Sequence, residues 1–187
     1  MRIDCIFAII KNSLLSVKFD SYETDELDRV FEEWTDIEFL YNFFNENIND
    51  LKSGFYGDIT IEEAIDKTLE DAENLEKEIL DLATRGQKDP LENLQTLFKP
   101  LNNEDYRIKD HQKSKAYGKK RKSWLRIYAI RIAKNTYVIS GGAIKLTETM
   151  NGVKHLESEL TKLEITKEYL IENGLFDKDD FEYLEIK

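Results

Sequence analysis

This chain of 187 residues has little of several residue types: one cysteine, two histidines and two prolines. A single cysteine excludes an internal disulfide framework, and so few thiolate and imidazole ligands argue against a zinc site. The apolar run at residues 6–10 is far shorter than the roughly 18–20 residues of a membrane helix and lacks the features of a signal peptide. We therefore expect a cytoplasmic protein that has no cofactor and does not enter a membrane.

Charged residues are abundant but unevenly distributed. The net charge is −11. Residues 1–87 carry 8 Lys and Arg against 22 Asp and Glu, whereas residues 99–149 carry 13 against 4. This asymmetry predicts a basic face for an acidic partner. The alternative, which is equally good, is that the two parts of the chain simply attract each other.

Hydrophobic spacing predicts strands first and helices next. Apolar alternation over residues 2–19 predicts a β-hairpin that turns at Asn12-Ser13. Helical spacing follows over residues 24–34 and again to residue 51. Thr60-x-x-Glu63 matches a capping box that opens a long amphipathic helix ending at Gly86. We expect the two longer helices to pack as an antiparallel helical hairpin.

The second part of the chain predicts a basic sheet closed by a helix. A second hairpin is expected over residues 123–147, with Lys134-Asn135 at its tip, and an amphipathic helix follows over residues 150–173. The whole chain, residues 1–187, is predicted to be one α+β domain with a mostly antiparallel sheet, an N-terminal helical hairpin and a C-terminal helix packed on the sheet. Residues 1–87 supply the first hairpin and the acidic helices, and residues 88–187 supply the rest.

The first strand of the second predicted hairpin contains the residues that most strongly indicate a function. Alternation places Trp124, Arg126 and Tyr128 on one face and Arg131 on the other. Aromatic rings stack on bases and guanidinium groups bind phosphates, so this row favours RNA binding. The alternative is that Arg126 pairs with an acidic helix residue while the aromatic residues belong to the core.

Two further features accompany that strand. Gly141-Gly142 interrupts the following strand and predicts a β-bulge, which would rotate Lys145 to the Arg126 face. A basic segment precedes the hairpin and predicts a contact with a polyanion, or else a solvated loop. The candidate RNA-binding residues are Lys113, Lys115, Tyr117, Lys119, Lys120, Arg121, Lys122 and Arg131.

Three short segments carry a resemblance to a known family. They are Phe98-Lys99-Pro100-Leu101, Leu125-Arg126-Ile127-Tyr128 and Ala143-Ile144-Lys145-Leu146-Thr147, with a helix from Val153 after them. In this order, residues 91–173 resemble the RelE/HigB superfamily of bacterial toxins. Toxins of that family cleave mRNA, often on the ribosome, with cationic residues in place of a metal.

The resemblance implies catalytic roles and partners. Arg126 and Lys145 would lie at the phosphate with Tyr128 nearby, and the partners would be RNA or the ribosome and an antitoxin-like protein. The family's Glu-Leu-Arg strand has no clean counterpart here, and residues 1–87 are longer and more acidic than in a small toxin. Three alternatives therefore stay open. The protein could be a relative that binds RNA without cutting it, a non-catalytic interaction domain whose acidic half binds a basic partner, or a plain structural domain whose charges pair internally.

Overall fold

The computed structural model describes residues 1–53, 56–102, 109–118, 123–148, 150, 152–182 and 184. Within these residues the chain forms one six-stranded sheet with helices packed on both of its faces. The strands are β1 (Ile3–Ile10), β2 (Leu14–Phe19), β3 (Lys99–Pro100), β4 (Gln112–Tyr117), β5 (Leu125–Ala133) and β6 (Thr136–Ile144). The helices are α1 (Glu26–Thr35), α2 (Ile37–Glu46), α3 (Ile48–Leu51), α4 (Ile61–Arg85), α5 (Leu94–Leu97) and α6 (Lys154–Glu172), with a 3-10 turn at Lys178–Phe181.

The predicted architecture is wrong in two respects. The chain begins with the hairpin β1–β2, so no helical hairpin stands at its N-terminus. The sheet, ordered β1-β2-β6-β5-β4-β3, is mixed and not mostly antiparallel, because β2 runs parallel to β6 with Leu14–Ser16 opposite Tyr137–Ile139. Local patterns identify strands joined by a tight turn, but β2 and β6 are separated by more than a hundred residues. Their pairing depends on long-range packing that alternation does not encode.

Capping side chains mark the residues at which α1, α2 and α4 begin. Asp25 caps α1 by accepting the N–H of Leu27, and Asp36 caps α2. The capping box predicted at Thr60 is confirmed: its hydroxyl accepts the N–H of Glu63, whose carboxylate accepts the N–H of Thr60. Since α1 and α2 both pack against α4, these three helices form one layer on one face of the sheet.

Two apolar cores lie on opposite faces of the sheet. The larger core lies under α1, α2 and α4 and contains Trp34, Phe44 and Trp124, each at most 1% exposed. The smaller core lies under α6 and contains Phe19 and Tyr128. Strand β6 is buried along its whole length because it lies between β2 and β5 with helices on either side. The position of β6 is therefore fixed by packing on both faces and by strands on both edges.

The tip of the second hairpin is fastened by one side chain, that of Asn135. Its Oδ1 accepts the N–H of Leu94 at 2.9 Å, and its Nδ2 donates to Ser13 Oγ at 2.9 Å and to the carbonyl of Ala83 at 3.0 Å. A Cβ at Gly86 would lie 2.3 Å from Asn135 Oδ1, so glycine is required there. Asn135 thus joins the β1–β2 turn, the end of α4 and the start of α5 to the hairpin.

Replacing Asn135 with alanine should lower the free energy of unfolding by about 2–3 kcal/mol. The reason is that the N–H of Leu94 would lose its partner in a half-buried position. Urea denaturation of the full chain measures this change. Asn173→Ala is the matched control, because Asn173 is exposed and bonds only within its own helix end, so we expect less than about 0.5 kcal/mol. Equal losses in the two variants would contradict the fastening role of Asn135.

Candidate anion-binding site

A β-bulge in the second hairpin decides which side chains meet. Ala129 pairs with Ile139, but Tyr128 pairs with Gly141, so Ser140 is an extra residue in β6. Beyond the bulge Arg126 lies opposite Ala143. Side chains alternate along a strand, so this shift of one residue turns the following part of β6 over. The bulge was predicted from the glycine pair, and it lies directly beside that pair.

Lys145 reaches the Arg126 face because of this bulge. The backbone N–H of Lys145 donates to the carbonyl of Trp124 at 2.8 Å, which continues the shifted register past the end of β6. In the unshifted register Lys145 would face the α4 side of the sheet. The two cationic residues that the sequence analysis selected therefore lie on the same face, on neighbouring strands.

The glycines at the bulge are required by close contacts. Gly141 has φ +151°, and a Cβ there would lie 2.0 Å from Glu159 Oε2. A Cβ at Gly142 would lie 2.8 Å from the carbonyl oxygen of Arg126. Any side chain at either position would separate β6 from α6 or from β5. The two glycines therefore allow the bulge to form, and the bulge in turn brings Lys145 to the Arg126 face.

Four residues form what we call the cationic face: Lys115 and Tyr117 of β4, Arg126 of β5 and Lys145. Tyr117 lies opposite Arg126 in the β4–β5 ladder, and its ring centroid is 4.2 Å from Arg126 Cζ. Lys115 Nζ lies 5.8 Å from the same ring. Arg126 Nη1 donates to the carbonyls of Ser123 and Leu125, both at 2.7 Å. The guanidinium is thus held in place by backbone groups and one aromatic ring.

Lys145 is also positioned by backbone groups. Its Nζ donates to the carbonyls of Thr147 at 2.7 Å and Glu148 at 2.6 Å. Burial lowers the pKa of the Lys145 ammonium, and the neighbouring charges of Arg126 and Lys115 lower it further. Burial lowers the pKa of Arg126 as well. Like charges held together out of water are stabilised by an anion placed between them, so the cluster favours binding a phosphate.

No ion pair neutralises this face within the part of the chain that the structure describes, although the nearby Glu148 carboxylate partly offsets the lowering of the Lys145 pKa. The ion pairs found there involve none of Lys115, Arg126 and Lys145. The alternative in which Arg126 pairs with an acidic helix residue is therefore absent from these residues. Tyr56, which the sequence analysis missed, closes one side by donating its hydroxyl to the carbonyl of Lys145 at 2.7 Å. It lies in the segment between α3 and α4, where no periodic pattern indicated a functional residue.

Several predicted site residues lie elsewhere. Tyr128 is 1% exposed and belongs to the core under α6, where its hydroxyl lies 3.6 Å from Met150 Sδ, and burial raises its pKa. It lies two residues from Arg126 on the same face of β5 but does not reach the surface. Lys113 forms an ion pair with Glu164 of α6. Arg131 points to the opposite face of the sheet, where Nη2 donates to Gln95. The predicted residues Lys119, Lys120, Arg121 and Lys122 lie outside the described residues.

Trp124 was expected to share the face of Arg126, and this expectation is wrong. Trp124 precedes the first ladder pair of β5, at Leu125, and its side chain turns into the core under α4. Its indole N–H donates to Thr68 Oγ1 at 3.0 Å, and its ring lies 5.1 Å from that of Tyr56. The side on which Trp124 packs is set by these contacts with Thr68 and Tyr56, which are distant in the chain, and not by strand alternation.

Comparisons with known proteins add no family to these observations. No family model, no curated protein and no solved structure matches this chain. None of the described helices is long and apolar enough to cross a membrane. In the same residues, no group of three histidine, cysteine or acidic side chains is placed to hold a metal ion. The function must therefore be argued from the cationic face itself.

Proposed function

We propose that the cationic face binds the phosphate backbone of RNA, and that the protein is a cytoplasmic, RelE-like endoribonuclease that uses cationic residues in place of a metal. The observation that carries this proposal is the bulge, which brings Lys145 to the face of Arg126. Tyr117 adds a ring on which a base can stack beside the bound phosphate. RNA, free or on the ribosome, is the proposed substrate, and an antitoxin-like protein is the proposed partner.

The two cations suit cleavage by the neighbouring 2′-hydroxyl group. Its oxygen attacks phosphorus, the bond from phosphorus to O5′ breaks, and a 2′,3′-cyclic phosphate and a 5′-hydroxyl result. The lowered pKa of Lys145 increases the fraction of neutral amine able to take the 2′-hydroxyl proton. The resulting ammonium and the Arg126 guanidinium then stabilise the charge of the phosphorane, and water protonates the leaving O5′.

RNA binding should weaken steeply as salt is added, because each phosphate contact releases counterions. In filter binding with a mixed-sequence RNA, Lys115→Ala should flatten the dependence of log K on log salt by about 0.7–0.9. Lys134→Ala is the control, since Lys134 is exposed at the hairpin tip. If the intact protein binds no RNA at low ionic strength, the proposal is wrong, and the interaction domain whose acidic half binds a basic partner takes its place.

A further inference from the structure

A second polar cluster lies under α6, away from the cationic face. Lys162 has a fully buried side chain, and its Nζ lies 2.7 Å from Glu26 Oε2 and 2.6 Å from Glu159 Oε1. Arg29 Nη2 lies 2.8 Å from the same oxygen of Glu26, and Nη1 lies 2.6 Å from Glu33 Oε1. Three carboxylates thus share two cations, which leaves one negative charge without a partner.

Glu159 shares in this unbalanced charge, although its Oε1 also lies 3.8 Å from Arg29 Nη2. Glu159 is 7% exposed, and its Oε2 is buried without a hydrogen-bond partner in the described part of the chain. Burial raises the pKa of Glu159 to about 7, an effect that the adjacent Lys162 opposes but does not cancel. An unpaired buried carboxylate oxygen is unfavourable, so an added hydrogen-bond donor or positive charge would stabilise this cluster.

Glu159 also lines a cavity of about 300 Å³ between α1, α2, β6 and α6. The other walls are largely aromatic and include Trp34, Phe39 and Phe43, with the last two rings stacked at 6.3 Å. The cavity exists because β2 pairs with β6 only as far as Ile139, which leaves the next part of β6 uncovered by a strand. Its volume lies at the lower end of the range for small-molecule sites.

We propose that this cavity binds a primary ammonium or guanidinium group carried on an apolar stem. The cation would pair with Glu159, and the stem would lie against Phe39 and Phe43, whose ring faces attract positive charge. Arg29 also lines the cavity and lies 3.8 Å from Glu159, but its shorter ion pairs are with Glu26 and Glu33, which reduce its repulsion of the ligand. The group can come from a free amine or from a Lys or Arg side chain of a basic polypeptide. This inference does not depend on RNA binding.

The affinity for such a cation should depend on pH. Glu159 ionises near pH 7, and only its ionised form pairs with a cation. Raising the pH from 6 to 8 increases the ionised fraction, and with it the affinity, about tenfold. The charged or titratable groups that face Glu159 lie on several elements: Lys162 and His155 on α6, Glu26, Arg29 and Glu33 on α1, Tyr128 on β5, and Tyr22 between β2 and α1.

The test titrates the full chain with n-butylamine and with its neutral counterpart 1-butanol, observed by NMR at pH 6 and pH 8. Butylamine should bind at least tenfold more tightly than butanol at pH 8, and Glu159→Gln should remove this preference. Glu168→Gln is the matched control, an exposed carboxylate on the same helix outside the cavity, and should leave it unchanged. Equal binding of amine and alcohol, or full binding by Glu159→Gln, would overturn the proposal.

A second variant covers the case in which Glu159→Gln fails to fold. Ser158 is exposed at the cavity rim, so Ser158→Trp should fill the cavity, leave Glu159 in place and abolish butylamine binding. Unchanged binding by this folded variant would also overturn the proposal. The peptides Gly-Gly-Lys-Gly-Gly and Gly-Gly-norleucine-Gly-Gly distinguish the two sources. Lysine-dependent binding tighter than that of butylamine assigns a polypeptide, and weaker binding assigns a free amine.

Discussion

Arg126→Ala should slow RNA cleavage about 10²–10³-fold, because losing one group that stabilises transition-state charge typically has that effect. Induced expression of the unmodified protein should slow growth and fragment mRNA, and Arg126→Ala should relieve both. The variant should still fold, because Arg126 is only half-buried and its side-chain hydrogen bonds are to nearby carbonyls. Thermal melts of the two proteins establish this, and Lys134→Ala serves as the control for loss of an exposed charge.

Variants of Lys145 should distinguish its proposed role in proton transfer from its role as a positive charge. Lys145→Ala should reduce cleavage as much as Arg126→Ala does. Lys145→Arg keeps the positive charge but holds its proton at neutral pH, so it should bind RNA nearly normally and still fail to cleave it. The cleavage rate of the unmodified protein should rise with pH, since the neutral amine of Lys145 is the proposed base. A protein that is harmless when overexpressed, or two alanine variants that remain fully toxic, would exclude the nuclease.

The part of the cationic face formed by Arg126 and Lys145 could be predicted from sequence because it depends on local features, whereas the pairing with β4 that adds its other two residues was not predicted. Alternation located β5 and β6, and the glycine pair beside Lys145 indicated the bulge on which the site depends. The capping box at Thr60 is local in the same sense. What failed were statements that depend on distant segments, namely the parallel pairing of β2 with β6 and the side on which Trp124 packs.

The buried charges of α6 could not be predicted for a different reason. Lys162 and Glu159 lie three residues apart on a strongly charged helix, and such pairs are usually solvated. They are buried here because α6 crosses β6 at Gly141, where the missing side chain leaves room for polar groups against the sheet. The third member of the cluster, Glu26, lies on α1, more than a hundred residues away in the chain. Only the assembled fold shows that these side chains form ion pairs with one another.

Lys162→Met should be the most destabilising single substitution in this cluster. Removing the ammonium leaves Glu26 and Glu159 buried with Arg29 as their one shared cation among the described residues, and breaking a buried ion pair in this way costs about 3–5 kcal/mol. Lys167→Met on the same helix is the control, because none of the described residues forms an ion pair with it, and we expect a change below about 0.5 kcal/mol. Urea denaturation at pH 8 measures the change in the free energy of unfolding for each variant.

The pH dependence of the free energy of unfolding should show why Lys162→Met is less stable than the unmodified protein. The pKa of Glu159 is raised from 4.5 to about 7 on folding, so the folded state binds its proton more tightly than the unfolded chain does. The contribution of this group is therefore most favourable below pH 4.5 and is lost as the pH rises to about 7. In Lys162→Met the proton should be held still more tightly, so the variant should recover much of its stability at pH 5. A loss of stability that is equal at pH 5 and pH 8 would show that the buried stem of Lys162, and not its charge, stabilises the fold.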